Sequence, residues 1–278
     1  MNILTFDIEE WFVYQYTIFG KNGNYQSNLL SLLNRLLDEL ESNNLKATFF
    51  CLGVMARENP EVIKLIHSKK HEIACHSDKH RWLSELNASE FDSDTTIAVD
   101  SLEQVIGEKI KGYRAPAFSV SKDTLWVWEV LSKNGIEYDS SIYPSDRDFG
   151  GFPEFTSYEP SLIHYNGIKM KEFPIGLTKF LGKEVAYSGG GYFRLLPYFL
   201  IKKMTKENSY VMSYFHLRDF DVKQNTAFEF NLRTIKNYYG IKGAYSKFLN
   251  YLHDFEFINI GTADQMIDWE KKVPQINL

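Results

Sequence analysis

Short apolar runs alternate along this chain with longer segments of helical period, and several of the runs stop abruptly at polar residues. The strand-like runs are Ile3 to Ile8, Ala47 to Leu52, Glu72 to Cys75, Tyr113 to Ala115, Glu137 to Ser140, Met170 to Pro174, Tyr210 to Phe215 and Phe257 to Ile260. Between them, Leu29, Leu30, Leu32, Leu33, Leu36, Leu37 and Leu40 give an i, i+3, i+4, i+7 stripe that predicts a helix closing at Asn43-Asn44. Asn59-Pro60 opens a second helix, Asn87-Ala88-Ser89-Glu90 a third, and the capping box Thr262-Ala263-Asp264-Gln265 the last. Strands that alternate with helices pair in parallel through right-handed crossovers and carry the helices on their outer face, which predicts an α/β fold. Single α/β barrels commonly reach about 250 residues. The 278 residues therefore fit one domain over 1–278.

One region interrupts the alternation. From Tyr143 to Gly191 the sequence is rich in Gly, Pro and aromatics, and Asn166-Gly167, between Ile163-His164-Tyr165 and Ile168-Lys169-Met170, is a type I′ hairpin signal. It reads as a loop and hairpin insertion around 145–191 over one mouth of the barrel. Composition narrows the function: with 44% hydrophobic and 24% charged residues the chain can bury a core and is not disordered. A formal net charge of -5 argues against binding nucleic acid by neutralising its phosphates. Cys51 and Cys75 sit in apolar runs as small buried hydrophobes, which suits a reducing compartment. The carboxylates of Asp7, Glu9 and Glu10 leave no uninterrupted apolar core for a secretory signal, and no stretch approaches the roughly 18 apolar residues of a transmembrane helix. The expected location is cytoplasmic.

Chemistry concentrates where the apolar runs end. In Thr5-Phe6-Asp7-Ile8-Glu9-Glu10-Trp11, positions 7 and 9 of a strand share a side, so Asp7 and Glu9 can converge and divide the roles of metal ligand and general base. The plainer reading is a solvated strand end. His76-Ser77-Asp78-Lys79-His80 follows the run Glu72 to Cys75, and a helical turn there puts His76 and His80 on one face, as two cis ligands of a zinc-type ion require. Cys75 alternates to the opposite side, toward the core, and His71 reads as a surface loop residue. Arg114, in Tyr113-Arg114-Ala115-Pro116, can face the acidic strand end and keep Asp7 ionised, or cap a helix. His216, in Tyr214-Phe215-His216-Leu217-Arg218-Asp219, can supply a proton near neutrality or sit buried and satisfied. Asp139, in Asp139-Ser140-Ser141-Ile142-Tyr143-Pro144, can hydrogen-bond His216 and fix its tautomer, or cap a turn. Polar clusters at the C-terminal ends of successive strands have the geometry of an active site on the top face of an α/β barrel.

Thr-Phe-Asp, His-Ser-x-x-His, Arg-x-Pro, Asp-x-x-x-Tyr and a late strand ending in His216, in this order, resemble the polysaccharide deacetylase family, also called the NodB homology or carbohydrate esterase family 4 domain. The resemblance covers almost the whole chain. It implies a distorted (β/α)7 barrel that removes acetyl groups from N-acetylated sugars with one divalent metal, usually Zn2+, with Co2+, Ni2+ or Mn2+ as alternatives. Carried over, Asp7 is the general base, His76 and His80 bind the metal, Arg114 pairs with Asp7, and His216 is the general acid, oriented by Asp139. Tyr143 stands where the family often has a tryptophan lining the acetyl pocket, and a backbone N–H near Ala117 joins the metal in stabilising the oxyanion. The commoner family pattern has two adjacent aspartates, whereas residue 8 here is Ile. The spacing of some intracellular branches then makes Glu9 the third ligand, with Asp78 and Glu10 as fallback ligands.

Gly189-Gly190-Gly191-Tyr192-Phe193-Arg194 resembles a glycine-rich segment of deacetylases from exopolysaccharide and surface-glycan gene sets. Either it lets a ligand approach the backbone, placing Gly190 and Tyr192 at the substrate, or it makes a tight turn before a helix. Tyr192 to Lys206 carries Arg194, Lys202, Lys203 and Lys206 and no acid, so it reads as a barrel helix with a basic outer face, or as a peripheral membrane contact that meets a polyprenyl-phosphate-linked sugar. Trp11, Tyr113, Phe118, Tyr143, Tyr192 and Phe215 are expected to flank the site. The leading expectation is a cytoplasmic, metal-dependent N-deacetylase of an N-acetylated sugar or glycan in surface-polysaccharide or glycolipid biosynthesis. Its rivals are a deformylase or other C–N amide hydrolase on a lipid- or nucleotide-linked amino sugar, and a catalytically silent glycan-binding barrel.

Overall fold

In the computed structural model, which describes residues 1–10, 27–147, 150–224 and 238–278, the apolar runs pair as parallel strands. Strands β1 (Asn2–Ile3), β2 (Thr5–Ile8), β3 (Thr48–Cys51), β4 (Glu72–Cys75), β5 (Gly112–Tyr113) and β6 (Tyr138–Asp139) follow the chain, with β2 to β6 side by side. Beyond β6 the sheet continues through the hairpin of β7 (Ser161–Tyr165) and β8 (Ile168–Glu172), with β8 parallel to β6. Asn166 (φ 46) and Gly167 (φ 80) make the left-handed two-residue turn that joins them, as the Asn-Gly pair predicts. The interruption around 145–191 thus divides in two. Its hairpin supplies a wall strand, while β9 (Thr178–Phe180) and β10 (Lys183–Val185) form a separate antiparallel ribbon.

The last wall position is split like the first: β11 (Val211–Met212) pairs with β1, and β12 (Phe215–His216) pairs with β2. Strand β13 (Gln275–Asn277) adds to the far edge beside β7. With β1/β2 and β11/β12 taken as one position each, the parallel wall runs β11/β12, β1/β2, β3, β4, β5, β6, β8, which is the (β/α)7 barrel arrangement. Phe257 to Ile260 contributes only a bridge between Ile3 and Ile258.

The helices are α1 (Leu29–Ser42), α2 (Gly53–Glu58), α3 (Pro60–Ser68), α4 (Ala88–Ile106), α5 (Val127–Lys133), α6 (Gly190–Leu195), α7 (Tyr198–Glu207), α8 (Ile241–Asp254) and α9 (Ile260–Met266). Helix α1 buries Leu29, Leu33, Leu36, Leu37 and Leu40, one face of the predicted stripe. Asn87 caps α4 reciprocally with Glu90, as expected. The cap of α9 is Asn259, three residues before the predicted Thr262: its Oδ1 accepts the Thr262 N–H at 3.0 Å. Among the described residues no helix is long and apolar enough to cross a membrane.

Side-chain alternation sorts the core into two layers. Phe6, Phe49, Cys51, Cys75, Tyr113 and Phe215 face outward and pack with the helices. Ile3, Phe50, Ala74, Tyr138, Phe173 and Met212 fill the interior. Register places Asp7 beside Phe50 on one side and beside His216 on the other, and Phe50 beside Ala74. The inner parity therefore includes Asp7, His76, Arg114 and His216, each at the C-terminal end of its strand.

Candidate active site

Arg114 lies fully buried across the inner floor, and every arm of its guanidinium is used. Nη1 donates to Asp7 Oδ1 and to Thr5 Oγ1, both at 2.8 Å. Nη2 donates to Ser140 Oγ at 3.0 Å and Nε to the Ser140 carbonyl at 3.3 Å. The Phe50 ring lies 4.0 Å from the guanidinium carbon. A buried cation is tolerated only with partners of this kind, and Arg cannot shed its proton to escape. Burial alone raises the Asp7 carboxyl, but Arg114, His76 and His216 outweigh it and hold the group below its ordinary value, so Asp7 is ionised.

One donor atom from each of Glu9, His76 and His80 lies within 4.8 Å of the others. His76 Nδ1 donates to the Arg114 carbonyl at 2.7 Å, which fixes the tautomer and frees Nε2. His80 Nε2 stands 2.8 Å from the buried Glu9 Oε2, an ion-pair contact without hydrogen-bond alignment. Burial raises the Glu9 carboxyl, and His80, His216 and Arg218 more than reverse the effect. Two imidazoles and an ionised carboxylate facing one point are a donor set that fits a zinc-type divalent cation.

The chain reaches this arrangement without the expected helical turn. After β4 it enters a loop in which Ser77 (φ 70) and His80 (φ 60) are left-handed, an uncommon state for residues with a Cβ. Ser77 Oγ accepts the His80 N–H at 2.9 Å, and the Ser77 and Asp78 carbonyls accept the N–H groups of Gly53 and Val54 at the start of α2. Cys75 points outward into the sheet–helix layer, as its parity requires. The fallback ligands are engaged elsewhere: Asp78 pairs with Arg57 at 2.7 Å, and Glu10 accepts from Ser27 Oγ at 2.5 Å. His71 is not a surface loop residue. It is 4% exposed, its Nδ1 accepts the Ala47 N–H, and burial pulls it down to about 4.

His216 Nε2 stands 3.6 Å from Asp7 Oδ2 and 3.7 Å from Glu9 Oε1. Its Nδ1 faces Asp219 Oδ2 at 3.4 Å, and Asp219 also accepts the His216 N–H at 3.0 Å. The expectation that Asp139 orients His216 is corrected on parity. Tyr138 points into the barrel, so Asp139 points out, between Trp128 and Glu172. There Asp139 accepts from the Ser140 N–H at 2.9 Å and from Ser141 Oγ. The signal for Asp219 was its place three residues after His216 in the same polar cluster.

Around the mouth, Tyr143 is buried with the Arg147 guanidinium carbon 4.5 Å above its ring. Phe118 meets Tyr214 edge-on at 5.6 Å, and burial, helped by the nearby Tyr192, raises the hydroxyls of Tyr143 and Tyr214. Ala117 is left-handed (φ 56) and its carbonyl accepts from Arg147 Nη1 at 3.0 Å. Gly190 (φ +52) packs under the Tyr214 ring. Tyr113 and Phe215 belong to the outer layer and do not flank the site. Trp11 lies outside the described residues.

Residues 4–138 match the family described as polysaccharide deacetylase, and residues 140–265 match a domain of unknown function, DUF3473. A peptidoglycan-N-acetylglucosamine deacetylase of Bacillus cereus is 31% identical over 101 residues, 36% of this chain and 37% of that protein. The chain thus matches well under half the length of the curated relatives it resembles. The crystal structure of a proposed polysaccharide deacetylase from Mycobacterium smegmatis superposes with a TM-score of 0.66 at 19% identity, over 98% of this chain and 91% of that one. A carbohydrate esterase family 4 pseudoenzyme from Bacillus anthracis gives 0.53 at 14% identity, over 100% of this chain and 69% of that one. The fold is that of the carbohydrate esterase family 4 proteins. Residues 4–138, just under half of the chain, form a polysaccharide deacetylase domain, and the second half adds wall strands β8, β11 and β12 to the same barrel.

Proposed function

We propose that the protein is a metal-dependent N-deacetylase of N-acetylated sugars. The observation that carries this reading is the placement of the Arg114-held Asp7 and of His216 beside the converging donor atoms of Glu9, His76 and His80. A divalent cation held by those three residues, Zn2+ being the ion such a set suits, supplies Lewis acidity toward an amide carbonyl and makes water more acidic. Asp7, kept ionised by Arg114, accepts a proton from the attacking water. His216 Nε2 delivers a proton to the departing nitrogen, because an amide leaves readily only as the amine. Burial pulls His216 down to about 4 against the charges of Glu9 and Asp7, so the ring rests neutral, and the proton that Asp7 takes from the water passes to His216 Nε2, 3.6 Å from Asp7 Oδ2, before it reaches the nitrogen.

The aromatic mouth of Phe118, Tyr143, Tyr192 and Tyr214 suits an acetyl methyl and the apolar face of a sugar ring. A relative that acts on peptidoglycan N-acetylglucosamine supports a glycan of that kind as substrate. Surface-polysaccharide or glycolipid biosynthesis is the proposed setting, and the free, buried Cys51 and Cys75 suit a reducing compartment such as the cytoplasm. The test is acetate release from N-acetylglucosamine oligomers by the Zn2+-loaded protein, with loss on chelation. If the metal-loaded protein cleaves no acetamido or formamido sugar, the reading fails.

A further inference from the structure

We propose that Arg194 is a positioning residue for proton delivery by His216, acting through Asp219; this rests on the deacetylase reading above. Asp219 is 1% exposed and its two oxygens are divided between two partners. Oδ2 accepts the His216 N–H and faces His216 Nδ1 at 3.4 Å, while Oδ1 pairs with Arg194 Nη1. Arg194 is itself 6% exposed, and its Nε donates to the Tyr239 carbonyl. The pair therefore runs from helix α6 to the proton-carrying ring. It holds the Asp219 carboxylate in one orientation, which in turn holds the imidazole.

The backbone around Arg194 is shaped to seat it there. Gly189 bridges to Tyr214, two residues before His216, and a Cβ at 189 would lie 1.9 Å from the Tyr214 carbonyl oxygen. Gly240, at φ +77, passes so close that its Cβ would lie 2.6 Å from the Arg194 carbonyl oxygen. Lys247 Nζ donates to the carbonyls of Phe193, Arg194 and Leu196 at 2.9, 3.0 and 2.7 Å, closing the end of α6. The glycine run thus brings helix α6 against the strand that carries His216. Its close approach is to the protein's own backbone.

Protonation of the leaving group separates this role from a merely structural one. An amide needs the proton that His216 delivers, whereas an activated acetate ester such as p-nitrophenyl acetate releases a phenolate without it. Arg194→Met and Arg194→Lys are assayed with Zn2+ on N-acetyl chito-oligosaccharide and on p-nitrophenyl acetate, with thermal melts to follow folding. Arg194→Met is expected to lower kcat on the amide about 10- to 100-fold with KM within about twofold, and to lower ester turnover by a factor about tenfold smaller. On a His216→Ala background Arg194→Met is expected to cost the amide reaction nothing further. Where Arg194→Met is unfolded at the assay temperature, Arg194→Lys carries the comparison. It keeps the charge, loses the fork and is expected to show the same bias toward the ester. Equal losses on the two substrates, a rise in KM alone, or a full further loss on the His216→Ala background overturns the proposal. Failure of the wild-type protein to release acetate from the amide would instead sink the deacetylase reading, and this inference with it.

Discussion

Arg114 Nη1 reaches Asp7 Oδ1 at 2.8 Å across 107 residues of sequence, and both side chains are buried in the barrel interior. The pair is structural and chemical at once, because the same guanidinium also ties Thr5 and Ser140 to the floor of the site.

Breaking that pair from the cationic side leaves a buried carboxylate without its counter-charge. Arg114→Met is expected to destabilise the protein by about 3–5 kcal/mol. Asp7→Asn, which keeps a hydrogen-bond acceptor for the guanidinium, costs less. Urea unfolding midpoints compare the two, and a smaller loss for Arg114→Met than for Asp7→Asn contradicts this account of the floor.

The donor set makes a stoichiometric prediction. Wild-type protein reconstituted with Zn2+ binds one ion per chain, while Glu9→Ala and His80→Ala lose it; Cys75→Ala, altered on the outward face, keeps it. Free Zn2+ at about 100 times its dissociation constant raises wild-type stability by about 2.7 kcal/mol, and does not raise that of Glu9→Ala. Elemental analysis after gel filtration checks the first point and thermal melts the second. Full metal content in Glu9→Ala would remove that residue from the coordination sphere.

A second pair of carboxyls titrates behind the floor of the site, where Asp139 accepts from Ser140 and Ser141. Burial pushes Asp139 up to about 6, and burial together with the Asp139 charge pushes Glu172 well above its ordinary 4.5. Both folded-state values lie above those of the unfolded chain, so the folded state keeps protons that the unfolded state has lost. Their contribution is fully present below about pH 4 and is lost as pH rises toward the folded values. Glu172→Gln mimics the protonated partner and escapes this loss. Its stability relative to wild type is expected to grow by about 1.4 kcal/mol per pH unit between pH 5 and 7. A difference that stays constant between denaturant titrations at pH 5 and pH 7 contradicts the raised values.

The barrel was legible because period 2 and period 3.6 alternate cleanly in the sequence, and the convergence of Glu9 with Asp7 because both obey strand parity, whereas the His76–His80 pairing was expected from a helical turn that the chain does not make. Parity applied to Asp139 would also have excluded it, since Arg114 and Ser140 point inward and residue 139 does not. Three things lay beyond local pattern. The left-handed Ser77 and His80 are held by hydrogen bonds of their loop, including those that cap α2. Asp219 doubles as the cap of its own short turn. Arg194 reaches Asp219 only because Gly189 lets α6 dock on the strand beside it.

The most direct measurement is acetate release from N-acetylglucosamine oligomers by Zn2+-loaded wild type and by Asp7→Asn with matched metal content. The account predicts metal-dependent release by wild type and a loss of about 10²- to 10⁴-fold in Asp7→Asn, the range a positioned proton-transfer group contributes. Equal rates for the two proteins, or no acetate from the metal-loaded wild type, would contradict it.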